Sequence, residues 1–284
     1  MTQQTPTGDI DPFFTFDYHA LDELEQDDPA RRPSTYWDVE RSCRGPEPRP
    51  GWVVTDRGAV DTDLGVLKTG KEADVFLLHR AATDGTGNEV VMAAKRYRDD
   101  QHRSFHRSGL YTENRRAKKS RDTRALDRKS AYGRRFAAGM WAGAEWAALK
   151  RYWLAGLPVP YPVQIDGTEI LMEFIGHDGE AAPRLVQVRP DADLLGHYYE
   201  QLRDAMLLMA AQGVTHGDLS PYNILADDER LVIIDLPQVV DIAANPKGME
   251  FLLRDCENVC SWFVTRGLEV DPQELFGELV TFVV

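Results

Sequence analysis

One stretch restricts this chain more than any other: Thr215-His216-Gly217-Asp218-Leu219-Ser220-Pro221-Tyr222-Asn223, followed at a distance by Leu231-Val232-Ile233-Ile234-Asp235. It reads as a loop, a short strand, a turn and a second strand. The apolar run before Asp235 is a buried strand that would hold its carboxylate at a fixed place. Asp218 and Asn223 stand five apart in a loop stiffened by Pro221. Phosphoryl transfer needs this set of groups. One carboxylate orients or deprotonates the acceptor, while an amide and a second carboxylate hold Mg²⁺ through hard oxygen ligands. Taken singly, each residue is an ordinary turn former. The joint pattern and its placement beside a strand carry the chemistry.

The same chemistry predicts a strand lysine and a helix carboxylate to hold it. Lys95 ends the stretch Val91-Met92-Ala93-Ala94-Lys95, and a period of two puts it on the face of Val91 and Ala93. A lysine among small apolar residues calls for an anionic partner. Glu145 falls between Trp141 and Leu149 at helical spacing, which places it on their inward face. Lys95 is its natural partner. The plainer alternative is a lysine whose stem lies on apolar surface and a half-exposed glutamate.

A second nucleotide-like stretch, Gly65-Val66-Leu67-Lys68-Thr69-Gly70-Lys71-Glu72, falls one residue short of a Walker A loop. Such a loop ends in a serine or threonine that binds magnesium, and a helix follows. Here Glu72 takes that place and Ala73-Asp74-Val75-Phe76-Leu77 reads as a strand.

The organisation is α+β. Residues 1–50, acidic and proline-rich, read as a disordered or loosely attached extension. Strands are expected at Val75 to His79, Val90 to Tyr97, Tyr161 to Ile165 and Glu169 to Phe174, with helices near Phe136 to Ala155 and Ala192 to Gln212. Helical patterns run from Gly248 onward. A strand-rich half and then a helix-rich half suggest two lobes, an N-lobe at 51–175 and a C-lobe at 176–284. The net charge of −13 argues against nucleic-acid binding by the whole surface. It hides an asymmetry: His102 to Arg135 carries twelve Lys/Arg against three Asp/Glu. This basic insertion, over 101–135, separates Lys95 from Glu145 and includes Ser104, Ser108, Thr112, Ser120, Thr123 and Ser130. It suits docking on RNA or an acidic protein, self-phosphorylation, or plain solvation; the resemblance named below makes ribosomal RNA the RNA expected. Three cysteines, Cys43, Cys256 and Cys260, make no disulfide framework and fit a reducing cytoplasm. The pair Cys256 and Cys260 reads as packed thiols rather than a metal site. No run of about 18 apolar residues predicts a membrane helix.

These residues together resemble the RIO-type atypical serine/threonine protein kinases, over roughly Trp52 to Gly267. The matching motifs are Thr69-Gly70-Lys71-Glu72-Ala73 with Val75, Lys95, Trp141-Ala142 with Glu145, and Met172-Glu173-Phe174-Ile175-Gly176. Further matches are His216 to Ser220 with Tyr222-Asn223-Ile224-Leu225, Ile234-Asp235, and Phe251-Leu252 with Arg254-Asp255-Cys256. The resemblance implies a trimmed, two-lobed kinase-like fold without the usual activation segment. It implies that Lys95 contacts the phosphates of ATP and that the backbone of Glu173 and Ile175 binds adenine. Thr69, Gly70, Lys71 and Val75 would belong to the turn and strand covering the phosphates. Asp218 would be the catalytic base, with Lys95 and Glu145 as its supporting pair. Asn223 and Asp235 would hold Mg²⁺, with Mn²⁺ as the alternative metal.

Members of that family phosphorylate Ser/Thr, often their own, and some act as ATPases in ribosome maturation through an aspartyl-phosphate. Aminoglycoside kinases share the HGD-to-Asn loop and Ile-Asp strand, which keeps a small-molecule phosphotransferase as the rival reading. Pro237 departs from the family, which usually has a small polar residue there; it fixes φ and removes an N–H just past Asp235. The sequence leaves the physiological substrate and the oligomeric state open.

Overall fold

The structure, a computed structural model, describes residues 30–98, 131–177, 179–236 and 239–283. The basic insertion, residues 1–29 and Pro237 lie outside the described residues, apart from the first turns of the helix that follows the insertion.

The chain divides into two compact units. The first takes the described residues up to Trp146 together with Tyr161–Ala181; the second takes Ala147–Pro160 and Ala182 onward. This moves the expected lobe boundaries, because 147–160 belongs with the second unit and 176–181 with the first.

In the first unit, β1 (Arg31–Pro33), β2 (Val60–Thr69), β3 (Ala73–Ala81), β4 (Glu89–Tyr97), β5 (Pro162–Asp166) and β6 (Glu169–Glu173) form one sheet. Its order is β1-β2-β3-β4-β6-β5, and every neighbouring pair is antiparallel. β2 to β4 turn back through glycine-containing connections, at Gly70 and at Gly85 and Gly87. The helix α1 (Ala131–Leu154) follows, with its residues up to Trp146 in this unit and the rest in the second. A short pair, β7 (Gly176–His177) and β8 (Glu180–Ala181), closes the unit.

Residues 30–50 correct the expectation of a loose extension up to residue 50. β1 pairs with β2, Arg31 opposite Thr62. Tyr36 is buried, and the Arg44 guanidinium lies 4.6 Å from the Trp37 ring and donates to the carbonyls of Trp37 and Val39. Gly45 N–H donates to Val163 O, and the Tyr161 hydroxyl to Pro46 O. The segment is fastened by isolated aromatics and backbone hydrogen bonds. Neither leaves a periodic trace in a composition full of proline and charge.

The two faces of the sheet carry different chemistry. Arg80, opposite Val90 in the β3–β4 register, shares a face with Arg96. Fully buried, it meets Asp61 through two bonds of 2.6 and 2.9 Å and Gln164 Oε1 at 3.0 Å. Gln164 in turn donates to Thr35, which joins this network to the N-terminal segment. Arg96 bridges Asp63 and Glu169. Lys95, one residue away, belongs to the opposite face.

The second unit is built on α2 (Ala192–Ala211), α3 (Gly248–Val264) and α4 (Pro272–Val280). α2 starts at Asp191, whose side chain accepts from Leu194 N, and buries the anticipated Leu195, Tyr198, Leu202, Ala205, Met206 and Met209. α3 buries Phe251, Leu252, Val259, Trp262 and Phe263, again as the pattern requires. Between these helices run β9 (Val214–Thr215), the hairpin β10 (Ile224–Asp227) and β11 (Arg230–Ile233), and β12 (Val240–Asp241), which pairs with β9. Only twelve residues separate Asp235 from Gly248, so no long segment follows the strand.

Candidate active site

In the first unit, Lys95 Nζ lies 2.6 Å from Glu145 Oε1. Their side chains are 12% and 3% exposed, so the pair is formed away from bulk water. The Tyr97 hydroxyl donates to the other oxygen of Glu145, and Tyr97 shares the Lys95 face of β4. The expected partnership is therefore present, with a third member the sequence reading left out. Along α1 the buried stripe is Ala138, Ala142, Glu145 and Leu149. Trp141 is only half-buried, so Ala142 takes the inward place expected of it.

Val75 stands directly across from Lys95 on β3, on the same face. Thr69 ends β2 and Lys71 follows Gly70; both are exposed. Gly70 allows a close approach, but to the chain itself. Its N–H donates to Ala73 O at 3.0 Å, and a Cβ there would lie 2.7 Å from that oxygen. Any side chain at residue 70 would open the turn. Gly65 lies within β2 at a register irregularity with φ of 111°, a conformation suited to glycine.

The backbone of Glu173 is partly committed. Its N–H donates to Tyr161 O at 2.9 Å, and its carboxylate accepts from Tyr161 N. Ile175 follows β6, and its N–H makes no backbone hydrogen bond among the described residues.

In the second unit, the loop from His216 to Asn223 alternates buried anchors with exposed groups. His216, Gly217, Leu219 and Pro221 are buried, while Asp218 and Tyr222 are exposed. Asp255 on α3 provides the grip. It is fully buried and accepts from Thr215 Oγ1 at 2.6 Å, Gly217 N at 2.7 Å and Leu219 N at 2.8 Å. The residues on both sides of Asp218 are thereby fixed, and its carboxylate projects from a rigid backbone. Burial pushes the Asp255 carboxyl above the usual aspartate range, against the opposing pull of His216 and these three donors. Arg254 donates to Gly217 O and Asn258 to Leu219 O at 3.0 Å.

The same loop is tied to the strand that ends in Asp235. His216 Nε2 lies 3.0 Å from Ile234 O; a carbonyl only accepts, so Nε2 carries the hydrogen. Ile234 N donates to Asn223 O at 2.9 Å, which sets Asn223 beside the end of the strand. The Asn223 amide nitrogen donates to Asp218 O at 2.9 Å, leaving its Oδ1 as an acceptor for a cation. Asp235 is exposed with φ of 67°. Aspartate tolerates this left-handed conformation better than most residues. Among the described residues no three His, Cys, Asp or Glu side chains gather to hold a metal. One amide oxygen and one carboxylate instead suit magnesium, which keeps few protein ligands and completes its shell with water and phosphate.

Asp255 had a signal that could have revealed its role. It is a carboxylate between Leu252 and Val259 on an apolar helix face, the criterion that selected Glu145. Cys256 and Cys260 are both buried free thiols.

A strand lysine paired to a helix glutamate, with an Asp-to-Asn loop leading into a strand that ends in Asp, is the arrangement of a protein-kinase fold. Within that class, a family model for the RIO domain matches residues 81–275, and the chain belongs to the RIO-domain family. It is 34% identical over 235 residues to the RIO-type serine/threonine-protein kinase Rio1 of Haloferax volcanii, covering 81% of this chain and 72% of that one. It is 32% identical to the serine/threonine-protein kinase RIO3 of mouse and 28% identical to RIO1 of Saccharomyces cerevisiae, in each case over 80% of this chain. The match spans less than half of those two, 43% and 49%. Among solved structures, the Rio2 kinase of Chaetomium thermophilum in an ADP/Mg²⁺-phosphoaspartate complex shares the fold. The TM-score is 0.54 at 23% identity, over 76% of this chain and 59% of that one. No helix among the described residues is long and apolar enough to cross a membrane.

Proposed function

We propose that this chain is an ATP- and magnesium-dependent serine/threonine protein kinase. One observation carries the reading. Lys95 and Glu145 stand fifty residues apart in sequence, yet form a nearly water-free ion pair closed by Tyr97. Buried ion pairs add little to stability over well-packed apolar residues. This one makes sense as a device that positions an ammonium for phosphate oxygens. Asp218 then takes the proton of an acceptor hydroxyl as its oxygen bonds to the γ-phosphorus and ADP leaves. Asn223 and Asp235 would hold magnesium, which would neutralise charge on the phosphates.

The test is incubation with γ-labelled ATP of the native chain, Asp218→Asn and Asp235→Asn. Label is expected on serine or threonine in the native chain only. Equal transfer by all three proteins would overturn the mechanism. A second reading, an ATPase that stores phosphate on Asp235, draws on the exposure of that carboxylate and on the phosphoaspartate in the Chaetomium Rio2 complex. Label that hydroxylamine removes and that Asp235→Asn loses would favour it.

The basic segment 102–135 is the proposed docking element for ribosomal RNA or an acidic partner and a target of self-phosphorylation. Mass spectrometry after incubation with Mg-ATP reads this out: phosphate on its serines or threonines supports self-phosphorylation, and its absence there removes that part.

A further inference from the structure

In the first unit, residues 34–52 form a strap that touches both parts of the nucleotide half of the site. One of these is α1. The indole N–H of Trp146, a buried residue, donates to Ser42 O at 3.2 Å. Trp146 follows Glu145 directly, and neighbouring residues of a helix point about 100° apart. Glu145 is held from the sheet by Lys95 and Tyr97, and Trp146 from the strap. Two anchors in different directions fix the rotation of the helix about its own axis.

The other part is reached through β5 and the residue before it. Arg44 pairs with Gln164 in an isolated bridge, and Gly45 N donates to Val163 O at 2.9 Å. The Tyr161 hydroxyl donates to Pro46 O at 2.9 Å, and its ring meets Trp52 edge-on at 5.8 Å. The main chain of Tyr161, itself 2% exposed, is joined twice to Glu173. Its carbonyl accepts from Glu173 N at 2.9 Å, and its N–H donates to the Glu173 carboxylate at 3.0 Å. The approach at Gly45 admits nothing larger than hydrogen. A Cβ there would lie 2.1 Å from Pro162 O and 2.5 Å from the Tyr161 hydroxyl. Trp37 Nε1 donates to Thr55 O at 2.7 Å, which closes the strap on itself.

We propose that residues 34–52 are a positioning strap for nucleotide binding, with Trp146 and Tyr161 as its positioning residues. Trp146 sets the helix that carries Glu145, and through it the Lys95 ammonium. Tyr161 sets the backbone of Glu173, which the family resemblance assigns to adenine. Both residues act through another. The proposal rests on the protein-kinase reading above and adds a determinant of ATP use from outside the RIO domain match, since the strap lies wholly before residues 81–275.

The experiment compares the full native chain with Trp146→Phe, Tyr161→Phe, Gly45→Ala and Tyr198→Phe. The first two keep an aromatic ring and remove one donor each. Tyr198→Phe is the matched control in the second unit, where the hydroxyl it removes donates to the carbonyl of Asp228. Fluorescence reads the binding of N-methylanthraniloyl-ADP with Mg²⁺, amide hydrogen exchange reads the opening of residues 142–150, and thermal unfolding reads stability. Trp146→Phe and Tyr161→Phe should each weaken binding about fivefold, the contribution of one hydrogen bond. Gly45→Ala lifts the strap from both contacts and should weaken binding about twentyfold. Trp146→Phe and Gly45→Ala should also speed exchange over 142–150. Tyr198→Phe should lower the unfolding midpoint as much as Tyr161→Phe does and leave nucleotide affinity at the native value.

Native nucleotide affinity in Trp146→Phe and Gly45→Ala, or an equal weakening in Tyr198→Phe, overturns the proposal and leaves the strap as a cover for apolar surface. The two readings fail separately. If the strap variants bind the probe weakly but the native chain transfers no phosphate to serine or threonine, the strap stands and the kinase reading falls. If the native chain phosphorylates serine or threonine and the strap variants bind the probe as it does, the reverse holds. A native chain that binds no nucleotide overturns both.

Discussion

The two units keep their functional charges by opposite means. In the first, Lys95 is taken out of water and compensated by Glu145, which is itself bonded to Tyr97. In the second, Asp218 and Asp235 stay in solvent, and the buried charge sits one layer behind them in Asp255. A phosphate-binding ammonium gains strength in a low dielectric, provided its partner comes with it. A carboxylate that must exchange protons or recruit a cation needs access, so the fold immobilises its backbone instead. The first arrangement therefore depends on a side-chain pair and the second on main-chain hydrogen bonds.

The largest expected effect breaks the second arrangement. Asp255→Ala orphans the Thr215 hydroxyl and the N–H groups of Gly217 and Leu219, at a cost of about 4 kcal/mol in stability for three buried donors. Denaturant unfolding checks this, and phosphate transfer should be lost even where the protein remains folded. Asp255→Asn is nearly as damaging, since an NH₂ would face a donor.

Next comes Glu145→Gln, which keeps the shape and removes the charge. Lys95 then loses its anchor, and kcat/KM for ATP should fall about a hundredfold, the scale of a misplaced reacting group. A Lys95→Met, Glu145→Leu double variant should be more stable than Glu145→Gln and just as inactive. Recovered activity in that pair would show that the buried ion pair serves structure alone.

A smaller effect separates the two roles of Asp235. Its φ of 67° makes Asp235→Ala pay about 1 kcal/mol of backbone strain, which Asp235→Asn and Asp235→Gly avoid. Thermal unfolding should rank Ala lowest, while all three lose magnesium-dependent transfer.

The smallest concerns the thiols of α3. Burial pushes Cys256 up to about 12 and Cys260 up to about 11 from the ordinary value of 9.0. Both stay protonated in the folded state where the unfolded chain already ionises. Their contribution to stability is whole below pH 9.0 and is lost as pH rises toward 11 and 12. Alkylation below pH 9.0 should modify Cys43, which is half-buried, well before the other two.

Much of the site was legible because its residues broke local rules. Lys95 and Glu145 stood out as charges on apolar faces, and Asp218, Asn223 and Asp235 as oxygen donors spaced around a strand. The grip of Asp255 was less visible, since its meaning depends on Thr215, Gly217 and Leu219, some forty residues upstream. Residues 30–50 escaped for another reason. A three-residue strand and a stacked Arg44 carry no periodicity, and composition there points toward disorder. The Arg80–Asp61–Gln164 network was hidden likewise: four consecutive residues of β3, Leu77 to Arg80, are buried, so no alternation sets Arg80 apart.

That network has a bearing on how the sheet finds its alignment. Lys95 and Arg96 are neighbours on β4 that point to opposite sides, one toward Glu145 and the other toward Asp63 and Glu169. A slip of β4 by one residue would bring Ala94 to the place of Lys95, leaving Glu145 without its cation, or Tyr97 to the place of Arg96, leaving Asp63 and Glu169 without theirs. Either mispairing leaves a carboxylate in or near the interior without its counter-charge, so the two cations of β4 mark the register of the sheet alongside the apolar pattern.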